Sequence, residues 1–158
     1  MSILTWLVII PLLTITGILL VKDARQTKIV SAIGMGIQLI VSFVIVFMYV
    51  NLRKSGNTDE MVLISSLEWF RSLNIYYTVG VDGISVAMIA LTALVVFAGV
   101  FASWEMEDLK KEFFISLILL STGVFGFFIS LDLFTMFLFY EVAVRSEEHT
   151  SELQSPNT

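Results

Sequence analysis

Apolar and polar positions fall in long blocks along this chain, without the short alternation of a soluble strand or surface helix. Four apolar blocks contain no charged residue at all, and they cover residues 3–21, 29–50, 84–103 and 113–130. The hydrocarbon core of a bilayer is about 30 Å thick, and about 20 apolar residues in a helix cross it. The pattern therefore predicts four complete transmembrane helices.

The first block contains Pro11. Proline removes one helical hydrogen bond, which membrane helices tolerate where neighbouring helices satisfy the freed backbone group. A cleaved signal peptide would carry positive charge before its apolar run, whereas Lys22, Arg25 and Lys28 follow the run here. We therefore predict that the first block is a retained helix.

A long polar loop, residues 51–83, separates the second block from the third. Its second half contains two short segments, 61–65 and 73–79, in which aromatic and β-branched residues are frequent. Such segments on either side of a short connection are typical of strands in a hairpin. We predict a short β-hairpin that lies on the membrane surface.

A fifth apolar block begins near Asp132, directly after the fourth. The short link predicts that the fourth and fifth helices are antiparallel. The block ends at Val144, after too few residues to cross a bilayer. The predicted fold is therefore an all-α integral membrane bundle of four complete transmembrane helices and a truncated fifth, with an external hairpin-like loop.

Basic residues are concentrated in two short connectors and predict the orientation. The first and third connectors hold Lys22, Arg25, Lys28, Lys110 and Lys111. The longer second loop holds three basic residues, and the fourth link holds none. Because cytoplasmic loops carry an excess of lysine and arginine, we expect the N-terminus and the hairpin to lie outside.

Composition excludes several classes of function. Apolar residues make up 57 % of the 158 residues and charged residues 15 %, against about 45–50 % and about 25 % in soluble domains. There is no cysteine, so disulfides, thiolate metal sites and cysteine nucleophiles are excluded within this chain. The formal net charge of −5 argues against nucleic acid as a partner.

The composition changes abruptly at Arg145, where a membrane-like run passes into a polar string. The string, R-S-E-E-H-T-S-E-L-Q-S-P, resembles the conceptual translation of a sequencing adapter. A solvated native tail is the alternative interpretation. We interpret residues 1–144 as the N-terminal transmembrane part of a larger subunit and residues 145–158 as a non-native, disordered tail. The only histidine, His149, lies in this tail, so we expect no metal site.

Glu141 is the strongest candidate for chemistry. If the fifth helix enters the hydrocarbon near Asp132, nine residues at 1.5 Å rise place Glu141 about 13–14 Å deeper, close to the bilayer midplane. An ionisable residue there costs about 2.5–3.5 kcal/mol and usually marks a proton or ion path. The alternative is a neutral, hydrogen-bonded glutamate between packed helices.

The other polar residues in or beside the apolar blocks favour structural roles. Asp82 and Asp132 lie at the starts of helices, where we expect them to act as turn or capping residues. Gln38 lies midway along the second block and favours a hydrogen bond between helices; contact with a water path is the alternative. Small residues share one face of the fourth helix and predict close helix packing; they are Ser116, Gly123, Gly126 and Ser130.

Five short runs together resemble a known family. They are residues 80–85, 102–104, 111–114, 123–126 and 131–142, the last reading L-D-L-F-T-M-F-L-F-Y-E-V. Their order and spacing resemble the antiporter-like membrane subunits of NADH-quinone oxidoreductase (respiratory complex I), and the last run favours the chain M (subunit 4) branch. The resemblance covers about residues 1–144.

The resemblance implies that Glu141 takes part in proton translocation, paired with a lysine on a later helix. The family commonly has tryptophan before this glutamate, where Tyr140 stands here. The resemblance also implies a proton-pumping translocase that couples electron transfer from NADH to quinone. A subunit of an Mrp-type cation/proton antiporter or a membrane-bound hydrogenase is one alternative, and a non-catalytic membrane scaffold is another.

We expect no cofactor in this chain, because NADH, FMN, iron–sulfur clusters and quinone belong to partner subunits in this family. The expected partners are the other complex I membrane subunits, including the sister antiporter-like chains, together with the lipid bilayer and protons. The expected location is the bacterial inner membrane, as a multi-pass protein.

Overall fold

The computed structural model describes residues 2–56, 58–70, 75–104 and 111–154. Its elements in chain order are α1 (Ile3–Leu20), α2 (Ala24–Lys54), β1 (Val62–Phe70), β2 (Ile75–Val81), α3 (Gly83–Ala102), α4 (Lys111–Ile129) and α5 (Leu133–Gln154). Four of these helices, α1 to α4, are long and apolar enough to cross a membrane within the described part of the chain. The predicted bundle of four complete helices is confirmed.

The second helix is longer than its apolar block. It begins at Ala24 and ends at Lys54, so it includes charged residues on both sides of the predicted 29–50. Charge marks where a helix leaves the hydrocarbon, but backbone hydrogen bonding continues into the interface while the residues there favour helix. Hydropathy therefore located the membrane segment correctly and underestimated the length of the helix.

The predicted hairpin is present and lies against one end of the bundle. Strands β1 and β2 pair antiparallel, with Ser66 opposite Thr78. The backbone N–H of Leu131 donates to the Thr78 carbonyl at 2.9 Å, and Val79 forms a bridge with Ser130. These contacts join the hairpin to the α4–α5 turn, and we call this the hairpin end of the bundle.

Two aspartates begin helices at the hairpin end, as predicted. The Asp82 carboxylate accepts the Ser85 backbone N–H at 2.7 Å, and the Asp132 carboxylate accepts the Thr135 N–H at 3.1 Å. The hydrogen bond from Ser85 lowers the pKa of Asp82 because it stabilises the charged form. Both residues are helix caps.

The apolar interior consists of two clusters. The cluster at the hairpin end includes Leu7, Ile45 and Phe125. The cluster at the opposite end includes Ile18 and Met35, and we call this the basic end because Lys28 and Lys111 bond backbone carbonyls there. Many large apolar side chains face outward instead, such as Leu20, Phe47 and Val95. Such an outer surface suits contact with lipid.

The expectation of disorder after residue 144 is wrong for residues 145–154. Helix α5 continues without interruption to Gln154, while residues 155–158 lie outside the described part of the chain. The stretch 145–154 contains neither glycine nor proline and includes good helix formers. Extension of an existing helix avoids the nucleation cost. The non-native origin of the tail and the boundary at 144 stay predictions.

Candidate functional site

The packing of α5 against α4 decides the direction of Glu141. Both glycines of the predicted small-residue face lie at this contact. A Cβ atom on Gly123 would lie 2.7 Å from the backbone nitrogen of Ala143, and one on Gly126 would overlap the ring of Phe139. The predicted close packing is confirmed at these two positions, and the Phe139–Ala143 side of α5 faces α4.

The two serines of the same face also lie in or beside the contact between α4 and α5. Ser116 lines a cavity of about 290 Å³ with Val142 and Ser146 of α5. Ser130 is buried at the α4–α5 turn and donates its hydroxyl to the Gly126 carbonyl at 2.6 Å. Gly123 and Gly126 therefore allow close packing, Ser130 makes a hydrogen bond within its own helix, and Ser116 borders a gap between α4 and α5.

Glu141 lies on the opposite side of α5. A helix turns about 100° per residue, so Phe139 and Ala143, two positions before and after, each lie about 200° around the axis from Glu141. The side chain of Glu141 is correspondingly exposed. The isolated bundle thus leaves this carboxylate outside its packed interior.

The depth of Glu141 follows from the start of α5. Glu141 lies eight residues after Leu133, which at 1.5 Å rise is about 12 Å along the helix axis. The 20 residues of α3 are about 30 Å long on the same scale. Glu141 is therefore placed near the middle of the apolar layer, close to the depth that the sequence predicted.

Bulky apolar and aromatic side chains surround Glu141 on the outer surface of α5. Phe134, Phe137 and Tyr140 are each at least half exposed, at 51 %, 61 % and 51 %. Phe137 is one turn before Glu141, and Tyr140 is its direct neighbour. Before Glu141 this open face of α5 is apolar, and the exposed Arg145, the first residue of the predicted non-native tail, follows one turn after the carboxylate.

Gln38 makes the predicted hydrogen bond between helices. Its side chain is 1 % exposed, and its Nε2 donates to the Leu7 carbonyl of α1 at 3.0 Å. Ser42, one turn further along α2, donates its hydroxyl to the Gln38 carbonyl at 2.9 Å. The structure does not bring Gln38 and Glu141 into a common site.

Two lysines at the basic end have roles that sequence reasoning missed. Lys111 Nζ donates to the carbonyls of Leu19 and Val21 at 3.1 and 2.6 Å, and Lys28 Nζ donates to the Trp104 carbonyl at 2.6 Å. Cations at helix C-termini are favourable, because they face the negative end of the helix dipole. The sequence showed these lysines only as topology signals.

The described residues contain no group of three or more His, Cys, Asp or Glu side chains that could hold a metal ion.

An apolar cavity of about 240 Å³ lies between α1, the hairpin and α5, with Tyr77 and Phe139 in its lining. Burial raises the pKa of the Tyr77 hydroxyl. The lining of this cavity is almost entirely apolar.

Comparison with known proteins gives related sequences along most of the chain. NAD(P)H-quinone oxidoreductase chain 4 from the chloroplast of Mesostigma viride is 28 % identical over 113 residues, which are 70 % of this chain and 21 % of the relative. A chain 4 protein of Microcystis aeruginosa is 27 % identical over 137 residues, or 86 % of this chain and 24 % of the relative. No protein-family model matches the chain.

A third relative is subunit M of the F420H2 dehydrogenase of Methanosarcina mazei, 31 % identical over 98 residues, which are 61 % of this chain and 20 % of the relative. This chain thus spans between a fifth and a quarter of the length of each of these three relatives. The chain 4 and subunit M relatives confirm the resemblance found in the sequence.

The fold also matches a solved structure. A chain of the membrane-bound sulfane sulfur reductase, an archaeal respiratory membrane complex, superimposes with a TM-score of 0.70 at 15 % identity. The match covers 92 % of this chain and 29 % of that chain. The shared fold therefore includes nearly all of the present bundle.

Proposed function

We propose that this homologue of NAD(P)H-quinone oxidoreductase chain 4 is part of a proton-translocating membrane subunit of a respiratory NADH-quinone oxidoreductase, with Glu141 as a site that takes up and releases a proton. Its relatives carry the names of quinone oxidoreductase and dehydrogenase subunits. These names describe single chains of multi-subunit enzymes, and this chain likewise acts as one component of a larger enzyme.

The observation that carries the proposal is the direction of Glu141. The glycine contact turns one side of α5 towards α4, which leaves the carboxylate on the outer side near mid-depth. A carboxylate that only joined α4 and α5 would lie on the packed side instead. An ionisable group at this depth is costly and is usually retained for a proton or ion path.

The open face of α5 needs a covering element that compensates the charge of Glu141. A helix that carries a lysine is the covering element that the family resemblance implies. Since the relatives are four to five times longer than the matched segment, such a helix can come from the rest of the subunit. Other membrane subunits of the same complex are the proposed partners.

The location of the basic residues supports an orientation with the N-terminus outside. The ends of α1 and α3 and the starts of α2 and α4 meet at one end of the bundle, through the contacts of Lys111 with Val21 and of Lys28 with Trp104. By the positive-inside rule this end faces the cytoplasm, with the subunit in the bacterial inner membrane.

We propose that the chain binds no redox cofactor of its own.

The proposal is tested with Glu141→Gln in the full-length subunit within its assembled complex. We expect donor-driven proton pumping to fall by about a hundredfold, within the range for loss of a positioned proton-transfer group. Glu112→Gln is the matched control, because Glu112 is an exposed glutamate in the first turn of α4. Normal pumping by the Glu141 variant, in a complex assembled to the normal level, would favour a scaffold role and refute the proposal.

The name of the Methanosarcina relative, an F420H2 dehydrogenase subunit, supports a second candidate in which the electron donor is not NADH. Co-purification of the subunit from its host distinguishes the two cases by the dehydrogenase module that accompanies it. An Mrp-type antiporter subunit would instead catalyse cation/proton exchange in vesicles with no electron donor present.

A further inference from the structure

Pro11 leaves a gap in the hydrogen bonding of α1. In a regular α-helix the carbonyl of Leu7 accepts the N–H of residue 11, but proline has no N–H to donate. Pro11 lies inside the helix and is buried. The Leu7 carbonyl thus loses its usual donor in the apolar interior, where water is scarce and an unpaired polar group is costly.

The side chain of Gln38 fills this gap from the neighbouring helix. Its Nε2 donates to this same Leu7 carbonyl at 3.0 Å, and the amide is 1 % exposed. Its Oε1 is also buried and accepts no hydrogen bond from the residues that the structure describes. The Leu7 carbonyl is thus the partner that orients this amide.

Pro11 and Gln38 also lie where the interior changes from one apolar cluster to the other. On α1, Leu7 packs in the cluster of the hairpin end and Ile18 in that of the basic end. On α2, Met35 belongs to the basic-end cluster and Ile45 to the hairpin-end cluster. The two halves of α1 are therefore anchored separately, and the proline between them is where a bend is least costly.

We propose that Gln38 is a latch across a proline hinge: its Nε2 hydrogen bond to the Leu7 carbonyl holds the two halves of α1 in line. When the bond opens, the half of α1 before Pro11 is free to tilt away from α2. Opening also presents two acceptors, the Leu7 carbonyl and Gln38 Oε1, to any water that enters the bundle. This inference does not depend on the role of Glu141.

A double-mutant cycle in the full chain tests the latch. Gln38→Met keeps the length of the side chain and removes its donor. We expect it to raise the unfolding equilibrium constant in detergent micelles about 5–30-fold. In a Pro11→Ala background, where residue 11 again donates to Leu7, the same substitution should change the constant by less than about threefold. An equal change in both backgrounds overturns the proposal.

Ser42→Ala is the matched control, because Ser42 is buried one turn away on α2 and, among the described residues, its hydroxyl bonds within its own helix. Ser42→Ala should change the unfolding equilibrium constant by the same factor with proline or alanine at position 11. If Ser42 is coupled to position 11 as strongly as Gln38 is, the cycle measures a general loss of packing between α1 and α2. That result also overturns the latch.

Two spectroscopic readouts follow the hinge directly and need only folded protein. An isotope-labelled Leu7 carbonyl should move to higher infrared frequency in Gln38→Met, and no such shift should appear in the Pro11→Ala background. Spin labels at the exposed positions Trp6 and Phe47 should report a broader distance distribution in Gln38→Met. Labels at Leu19 and Ile33, on the other side of Pro11, should report an unchanged distance distribution. An unshifted Leu7 band together with an unchanged Trp6–Phe47 distribution refutes the hinge.

Discussion

The α1–α2 pair and the α4–α5 pair are both close contacts at glycine, but they are held in different ways. In the first pair, a Cβ atom on Gly34 would overlap the side chain of Thr14, and the Gln38–Leu7 hydrogen bond joins the same two helices. In the second pair, the atoms nearest to a Cβ on Gly123 are the backbone and Cβ of Ala143.

The difference shows which contact can adapt. A side chain such as that of Thr14 can be shortened by substitution, whereas the backbone of Ala143 moves only if α5 moves. The α1–α2 pair is therefore fixed by a polar contact with some tolerance in its packing. The α4–α5 pair is fixed by steric fit, and the outward direction of Glu141 depends on that fit.

The sharpest test of this comparison is Gly123→Ala. We expect it to lower the free energy of unfolding by about 3 kcal/mol, the upper part of the range for overpacking, because backbone atoms of α5 must be displaced. Gly36→Ala is the control: its nearest neighbour, a ring carbon of Phe97, would be 3.6 Å away, and alanine favours helix. Steric denaturation in mixed micelles measures both, and equal losses would contradict the distinction.

A smaller effect is expected at the other pair. Gly34→Ala should cost about 1–2 kcal/mol of unfolding free energy, since only the Thr14 side chain stands in the way. Adding Thr14→Ala should recover part of this loss, because it removes Oγ1 and Cγ2 but keeps the Thr14 Cβ position 2.8 Å away, as the same unfolding measurement would show. If the double variant is as unstable as Gly34→Ala alone, the contact is as rigid as that at Gly123 and the comparison fails.

The smallest effect concerns how the second helix of each pair begins. Asp132→Ala removes the acceptor for the Thr135 N–H at the start of α5 and should cost about 1 kcal/mol. Asp23 occupies the corresponding position before α2 and makes no side-chain capping bond, so Asp23→Ala should be nearly neutral. Thermal unfolding of the two variants side by side measures the difference, and similar losses would show that capping does not distinguish the pairs.

Much of the fold could be predicted from the sequence, because the properties involved are local. Long uncharged blocks specify helices in a bilayer whatever their neighbours are, and a helix-start aspartate such as Asp82 finds its acceptor role within three residues. The hairpin and the small-residue face of α4 were also visible as patterns. The helical conformation of residues 145–154 was missed because the abrupt change from apolar to polar residues was interpreted as the start of a disordered tail.

The candidate site was predictable only as a position. The sequence placed Glu141 at a depth, since depth follows from the number of residues after the start of the helix. It did not specify which side of α5 faces α4, because that depends on the fit of Gly123 to Ala143. The partners of Gln38 and Lys111 were equally hidden, because the carbonyls of Leu7 and Leu19 lie on another helix.

The pattern along the chain thus specifies the nature of each segment: four membrane-spanning helices, a hairpin, their caps, and a carboxylate at mid-depth. Which surfaces meet follows from the packed fold alone, and with it the bond from Gln38 to the carbonyl that Pro11 leaves without a donor. Burial in lipid and local hydrogen bonding depend on neighbours along the chain. Helix packing depends instead on the shapes of surfaces that are distant in sequence.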